Sequence, residues 1–150
     1  MAKNQRYHYD CTIYCLLGKF KKDQKHGHGI WTFADGGVLK GVFESGKFTE
    51  GTFISNKNKT EYRGGFKDFK KHGKGRLIYK DGKIYEGNFL EGRFHGFGKL
   101  DYGDGKVFEG YWYNGKKHGK GSLSMYKSNG VMTKRKVGRW KFGKRMEWLG

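Results

Sequence analysis

Hydrophobic and polar residues alternate along most of the chain. In the segment 85–89, YEGNF, Tyr85, Gly87 and Phe89 share one face of an extended strand, because successive side chains of a strand point to opposite sides. The segment 98–102, GKLDY, repeats this alternation. The polar stretch LEGRFHG between them is expected to turn the chain, and an Asp-Gly dipeptide after the second segment is a strong hairpin signal. The pattern predicts paired antiparallel strands with an aromatic face and a polar face.

The alternation recurs with a period of 23 residues, marked by glycine. The last interval is 28 residues, so the fifth unit carries an insertion. Unit two is degenerate, since it lacks the H-G-x-G and Asp-Gly of the others, and unit three has Phe69 where most units have glycine. The repeat origins are Gly18, Gly41, Gly64, Gly87, Gly110 and a partial one at Gly138, and the predicted centres of the second strands are Trp31, Ile54, Leu77, Leu100 and Leu123.

Aromatic residues occupy fixed columns of the repeat and are expected to lie on one face. Two glycines per unit, such as Gly87 and Gly98, leave space on that face onto which neighbouring rings can lean, which favours a groove over a flat layer. We expect the rings left open to bind a helix or an extended segment of a partner protein, or the same face of a second copy in a homodimer. The predicted partner-binding aromatic residues are Phe20, Phe43, Phe66, Phe89, Trp112, Trp140, Tyr85, Phe108, Tyr79 and Tyr102.

The full pattern, Y-x-G-x-[WF]-x-x-G-x-x-H-G-x-G-x-L-x-Y-x-D-G, is clearest between Tyr85 and Gly110 and resembles the MORN repeat (Membrane Occupation and Recognition Nexus). The resemblance implies an all-β fold, an elongated, twisted single-layer antiparallel sheet of stacked β-hairpins. It also implies a scaffold at membranes or the cytoskeleton, including cilia, with acidic phospholipids as possible ligands. The predicted organisation is an N-terminal extension with a leading strand (1–15), the repeat domain (16–143) and a C-terminal tail (144–150).

No catalytic, cofactor-binding or metal-binding constellation is predicted. The stretch GYWYNGKKHGKG at 110–121 resembles a phosphate-binding loop, but Lys117 stands where that loop needs Ser or Thr. Four histidines recur in register two strands apart, about 9 to 10 Å, which is too far for a shared zinc ion. We expect these imidazoles to close turns by hydrogen bonding and the protein not to be an enzyme. The histidines are His26, His72, His95 and His118.

The chain is strongly basic, with 32 Lys and Arg against 14 Asp and Glu and a net charge of +18. Basic residues recur at the predicted turns, and their spacing of about 10 Å along one edge is comparable to the Debye length in physiological salt. This excess is larger than solubility requires, so an acidic protein or an anionic phospholipid is the expected partner. The residues are Lys70, Lys71, Lys74, Arg93, Lys116, Lys117, Lys120, Lys144 and Arg145.

These features favour a non-catalytic structural or adaptor subunit of a larger cytoskeletal, ciliary or organelle-membrane complex. A peripheral membrane module that binds anionic phospholipids is the alternative. Nucleic-acid binding comes third, because the rings lie mainly on the aromatic face and the turns, apart from Phe94, are not aromatic. No secretory signal and no apolar run of about 20 residues is present, so we expect an intracellular protein, in the cytoplasm, at the cytoskeleton or a membrane, or in an organelle such as the mitochondrion.

Overall fold

A computed structural model describes residues 15–21 and 24–149, and these form one antiparallel sheet in which strands follow one another in chain order. The predicted all-β, single-layer fold of stacked hairpins is confirmed. The strands are β1 (Cys15–Lys21), β2 (Gln24–Thr32), β3 (Val38–Glu44), β4 (Lys47–Ser55), β5 (Thr60–Lys67), β6 (Lys70–Ile78), β7 (Ile84–Leu90), β8 (Arg93–Asp101), β9 (Lys106–Tyr113), β10 (Lys116–Tyr126), β11 (Met132–Lys141) and β12 (Lys144–Trp148).

Two kinds of turn alternate along the chain. Within each hairpin from β3 onward, a two-residue turn has positive φ at both positions, as at Glu91 (50°) and Gly92 (81°), which is the type I′ geometry that suits twisted strands. Between hairpins, the Asp-Gly turns are longer. At Asp81-Gly82, for example, Tyr79 N donates to Lys83 O, and Lys83 N donates to the Asp81 carboxylate. The polar stretch predicted as a turn is therefore mostly strand, and only its Glu91-Gly92 step turns the chain.

A continuous row of glycines crosses the sheet. Each is paired directly with the next from β1 to β11, so two backbones meet along the row with no side chain on either. The row consists of Gly18, Gly29, Gly41, Gly51, Gly64, Gly75, Gly87, Gly98, Gly110, Gly121 and Gly138. We call the side of the sheet above these glycines the ring face, because rings cover them, and the opposite side the outer face.

A bulge precedes the row glycine in the second strand of most hairpins. Gly87 pairs with Gly98 and Phe89 with Phe94, so the single residue between them on β7 opposes three residues of β8. The bulge requires a left-handed residue, which Gly96 supplies with φ of 67°. The same register occurs in β5 with β6 and in β9 with β10. The start of each second strand is thereby brought across the ring face.

Two aromatic clusters form the core. The larger extends from Tyr62 to Trp140, and its rings meet mostly edge to face, as for Phe108 and Trp112 at 5.3 Å between centroids. The smaller comprises Leu39, Phe43 and Phe48. Phe66 packs against both clusters. A single-layer sheet thus acquires both aromatic clusters on one face, built from its own side chains.

Three differences from the sequence predictions concern boundaries and register. In unit two, Gly51 follows Gly41 by ten residues and not eleven, so Phe53 takes the ring-face position and Ile54 faces outward, 48% exposed. Residues 144–148, predicted as part of a C-terminal tail, form β12 and pair with β11. The predicted leading strand within 1–15 lies outside the described residues except for Cys15, where β1 begins.

Candidate functional site: the ring face

Three aromatic rings of the ring face each lie over two glycines of the row, and we call them the inner rings. They belong to Tyr62, Tyr85 and Phe108. A Cβ added to Gly98 would stand 2.5 Å from Tyr85 Cζ, and one added to Gly87 would stand 2.7 Å from the Tyr85 hydroxyl oxygen. That hydroxyl donates to Asn88 O at 3.0 Å. Tyr62 lies over Gly64 and Gly75 in the same way, and its hydroxyl donates to Gly65 O at 2.8 Å. Burial raises the pKa of Tyr62 to about 12 and raises that of Tyr85 as well.

This packing closes most of the predicted partner-binding face. Phe43, Phe89, Trp112, Trp140, Tyr85 and Phe108 are all buried by neighbouring side chains. Trp112 also donates its indole N–H to Gly98 O at 3.1 Å, so its polar atom is occupied too. Phe66, Tyr79 and Tyr102 remain partly accessible, and the Phe20 side chain lies outside the described set. A partner can reach only the less covered part of the ring face.

In units three to five, the bulge folds the residue seven positions after the origin over the inner ring. Phe94 stacks on Tyr85 with centroids 3.6 Å apart and an interplanar angle of 7°. In the flanking units lysines take this place. The Lys71 amine lies 5.5 Å from the Tyr62 centroid and the Lys117 amine 4.5 Å from that of Phe108. Burial lowers the pKa of Lys71.

The predicted basic residues therefore do not form one edge. Lys71, Lys117 and Arg145 lie over rings, the last with its guanidinium 4.5 Å from the Trp148 centroid. Lys74 and Lys120 are exposed on the outer face between the two glycines of their strands. Lys70, Arg93, Lys116 and Lys144 begin β6, β8, β10 and β12 beside the tight turns. Lys70 is paired with Glu91 at 2.6 Å, and this ion pair raises the pKa of Lys70.

The ring face opens at the degenerate unit. A cavity of about 380 Å³ lies there and is lined by Leu39, which stands where later units have Tyr62 and Tyr85; in this unit the ring of Phe48 covers the row glycines. Lys70 and Lys71 border the cavity on one side. Its walls are mainly aromatic and comprise Trp31, Phe33, Leu39, Phe53, Phe66 and Phe69. Of the predicted site residues, the structure brings only Phe66, Lys70 and Lys71 together here.

Phe69 is one of the cavity residues that were not among the predicted site residues. It occupies the second position of a type I′ turn with φ of 58°, where other hairpins have Gly46, Gly92 or Gly115. Its ring meets Trp31 edge to face at 5.3 Å between centroids. The signal was present in the sequence as the break in the glycine column at this position. A phenylalanine at a turn position that favours glycine places an aromatic ring at the edge of the cavity.

The repeated histidines do not form a metal centre within the described residues, where no cluster of metal-ligating side chains occurs. The predicted turn-closing hydrogen bond is seen only at His118, whose Nδ1 is 3.5 Å from Phe142 N. For His72 and His95, Nδ1 is buried and has no hydrogen-bond partner in the described part of the chain. The described segments also contain no helix of the length and apolarity needed to cross a membrane.

A sequence profile described as the MORN repeat matches residues 18–38, 62–84, 85–107 and 108–133, which together are more than half of the chain. The chain belongs to the MORN-repeat family. The predicted resemblance is thus confirmed, and MORN repeats are generally non-enzymatic modules. Comparison with curated proteins finds none that matches. The stretch 39–61, which the profile leaves unmatched, is the degenerate second unit of this MORN-repeat chain and includes the cavity residues Leu39 and Phe53.

Proposed function

We propose that this MORN-repeat chain is a non-catalytic adaptor that holds an acidic segment of a partner protein in the ring-face cavity. The observation that carries the proposal is the position of Phe69, half exposed at the cavity mouth in a left-handed turn position. MORN repeats occur in proteins that take part in protein and membrane interactions, which is consistent with a binding role.

Phe69 is retained at a cost to stability. A left-handed conformation costs a residue with a Cβ about 1–2 kcal/mol relative to the right-handed one, whereas glycine adopts it freely. The ring meets Trp31 edge to face and lies parallel to Phe48 at 6.5 Å between centroids. These contacts offset only part of the cost, because 51% of the residue stays exposed. Strained residues that persist in this way are concentrated at binding and active sites. A contact between Phe69 and a partner protein would account for a phenylalanine at this position.

The charge at the cavity favours a carboxylate on the partner. The Lys71 amine lies over Tyr62 in a partly buried place and forms no ion pair with a described residue. Burial disfavours its charged form, and a carboxylate brought beside it would restore that form. Lys70 is already paired with Glu91, so Lys71 is the cation available to the ligand. The expected occupant is an extended segment with an acidic residue flanked by apolar side chains.

The test is partner retention from native extract by the wild-type chain and by Phe69→Gly. Glycine relieves the turn strain, so Phe69→Gly should melt at the same or a higher temperature, while the retained partner is lost. Phe142→Gly is the matched control, because Phe142 is also a half-exposed phenylalanine at positive φ in a type I′ turn but lies away from the cavity. It should keep the partner.

A second pair of variants tests the charge. Lys71→Gln should weaken retention and reduce its dependence on salt, whereas Lys117→Gln, at the same repeat position two units later, should not. Retention of every partner by Phe69→Gly and Lys71→Gln would contradict the proposal. Binding of anionic vesicles lost in Phe69→Gly, with no protein retained, would reassign the cavity to lipid. Self-association lost in that variant would reassign it to a second copy.

A further inference from the structure

A second set of aromatic rings lies on the outer face, away from the core and the cavity. Tyr111 and Tyr113 flank the buried Trp112 and therefore point to the other side of the sheet. Phe97 pairs directly with Tyr111, with ring centroids 5.6 Å apart, and Phe142 lies 6.1 Å from Tyr113. Phe97, Tyr111, Tyr113 and Phe142 are 47%, 54%, 45% and 52% exposed, so none of them serves mainly to fill the core. We call them the outer rings.

Cations occupy the corresponding places in the neighbouring hairpins. Lys120 stands at the repeat position of Phe97, Arg139 at that of Tyr111 and Lys141 at that of Tyr113. Lys116 pairs across the turn with Tyr113. On this face, rings on β8 and β9 thus lie beside basic side chains on β10 and β11.

Several of these cations face one another. Lys120 is paired directly with Arg139, and Lys141 with Lys144, an arrangement that is unfavourable without a counter-charge. Arg139 forms an ion pair with Glu147, 3.2 Å between Nη1 and Oε1, which offsets its repulsion from Lys120. Lys120, Lys141 and Lys144 form no ion pair within the described segments. An anion on this face would relieve the repulsion.

We propose that the outer rings and the cations beside them bind single-stranded nucleic acid. Exposed rings provide faces on which successive unpaired bases stack, and the Lys and Arg on the adjacent strands neutralise phosphates of the same nucleic acid. This is the combination that the sequence alone did not show, because the inner rings dominate the aromatic columns. The site is separate from the ring-face cavity and does not depend on the function proposed there.

The geometry favours a nucleic acid over a membrane. The side chains of Lys120 and Arg139 project from the same face, on β10 and β11 beside the ring-bearing β8 and β9. The rings could therefore not enter an apolar layer without carrying these charges with them. Two of the outer rings are tyrosines, whose hydroxyls suit a wet, polar surface. In a single-stranded nucleic acid, the bases and the phosphates lie side by side. The bases could stack on the outer rings while the phosphates contact the neighbouring cations.

The experiment measures binding of a labelled single-stranded oligothymidylate and of its oligouridylate counterpart to the full chain by fluorescence anisotropy at two salt concentrations. Replacing Phe97 and Tyr111 together by Ala should weaken binding roughly tenfold or more, because stacking on two rings is lost. Tyr111→Phe should retain wild-type affinity, since it keeps the ring. Because both residues are half exposed, melting temperatures should change little.

Two controls locate the site. Lys83→Ala and Lys106→Ala remove cations at the opposite turn edge, where each is paired with an aspartate, and should leave affinity unchanged. Phe69→Gly should also bind normally. The proposal is overturned if the double Ala variant binds as tightly as wild type, which would mean that charge alone acts. It is equally overturned if the chain binds anionic vesicles through Tyr111 but not the oligonucleotides.

Discussion

An inner aromatic ring and the two glycines beneath it are the packing unit of units three to five. The ring of Tyr85 covers Gly87 and Gly98, and its hydroxyl is tied to the backbone of its own strand at Asn88. Phe108 covers Gly110 and Gly121 without a hydroxyl, so the ring itself is what the position requires. The glycines are needed because a methyl group would occupy the space of the ring.

The first prediction concerns this packing. Gly98→Ala places a Cβ 2.5 Å from Tyr85 Cζ and must displace the ring, so we expect a loss of about 1–3 kcal/mol in the free energy of unfolding. Lys99→Ala, at the next residue on the outer face, should change it by less than about 0.5 kcal/mol. Urea unfolding of both variants provides the comparison. Equal stabilities would show that the ring can move at no cost.

The second prediction concerns alkaline pH. Burial raises the pKa of Tyr62 from its ordinary value of 10.0 to about 12, so the neutral hydroxyl is favoured in the folded state. Its contribution to stability is complete below pH 10 and is lost as the pH rises through 10 toward 12. Tyr62→Phe should therefore lose less stability across this interval than wild type. Parallel pH profiles of chemical unfolding would contradict the assignment.

At the scale of the strand pair, the residue seven positions after the origin lies on the ring face, over the inner ring in units three to five and over the row glycines in unit two. Units two and four place Phe48 and Phe94 seven residues after the origin, whereas units three and five place Lys71 and Lys117 there. The lysines make cation–π contacts with the rings, and the phenylalanines pack with aromatic neighbours. From unit to unit, this repeat position thus alternates between a phenylalanine, which covers the ring face, and a lysine, which adds a positive charge to it.

The third prediction follows from that alternation. Lys117→Phe should stack on Phe108 as Phe94 stacks on Tyr85 and raise stability by about 0.5–1.5 kcal/mol. Lys117→Ala, which removes the cation–π contact, should lower it by about 0.5–1 kcal/mol. Thermal unfolding measures both changes. A Lys117→Phe variant less stable than Lys117→Ala would mean that the bulge does not present this position to the ring.

Much of the sheet could be predicted from the sequence, because a constant period fixes which residues share a face. The Gly87 and Gly98 columns predicted the contact of ring and glycine correctly. The bulge was not predictable, since left-handed Gly96 looks like any other glycine in the H-G-x-G pattern. The expectation that Lys71 and Lys117 would lie along an edge was wrong for that reason. The cavity was not predicted because its walls come from three different units, from Trp31 to Lys71.

At the scale of the whole molecule, each strand pairs only with its neighbours in sequence, so stability is expected to be distributed along the sheet as in other repeat proteins. The larger cluster joins β5 to β12, while the smaller one, in β3 and β4, has only three buried members. The cavity therefore lies beside the less tightly packed part of the described sheet. Local opening there would admit a partner more readily than opening near Tyr85.

The fourth prediction is a gradient of hydrogen exchange. Amides of β7 to β10, which carry Tyr85, Phe108 and Trp112, should exchange most slowly, and those of β3 and β4 should exchange faster through local unfolding. Bound partner should slow exchange in β3, β4 and the turn at Phe69. Uniform protection across the sheet would show that the repeats unfold together and that the second unit is no weaker than the rest.

The most direct test of the adaptor role is photo-crosslinking from the cavity. A photoreactive phenylalanine analogue in place of Phe69, with the same analogue in place of Phe142 as the control, is irradiated in native extract and the adducts are sequenced by mass spectrometry. The account predicts that position 69 captures one acidic segment of a partner protein and that position 142 does not. Adducts at position 69 consisting only of lipid or of a second copy of the chain, or the same proteins at both positions, would contradict it.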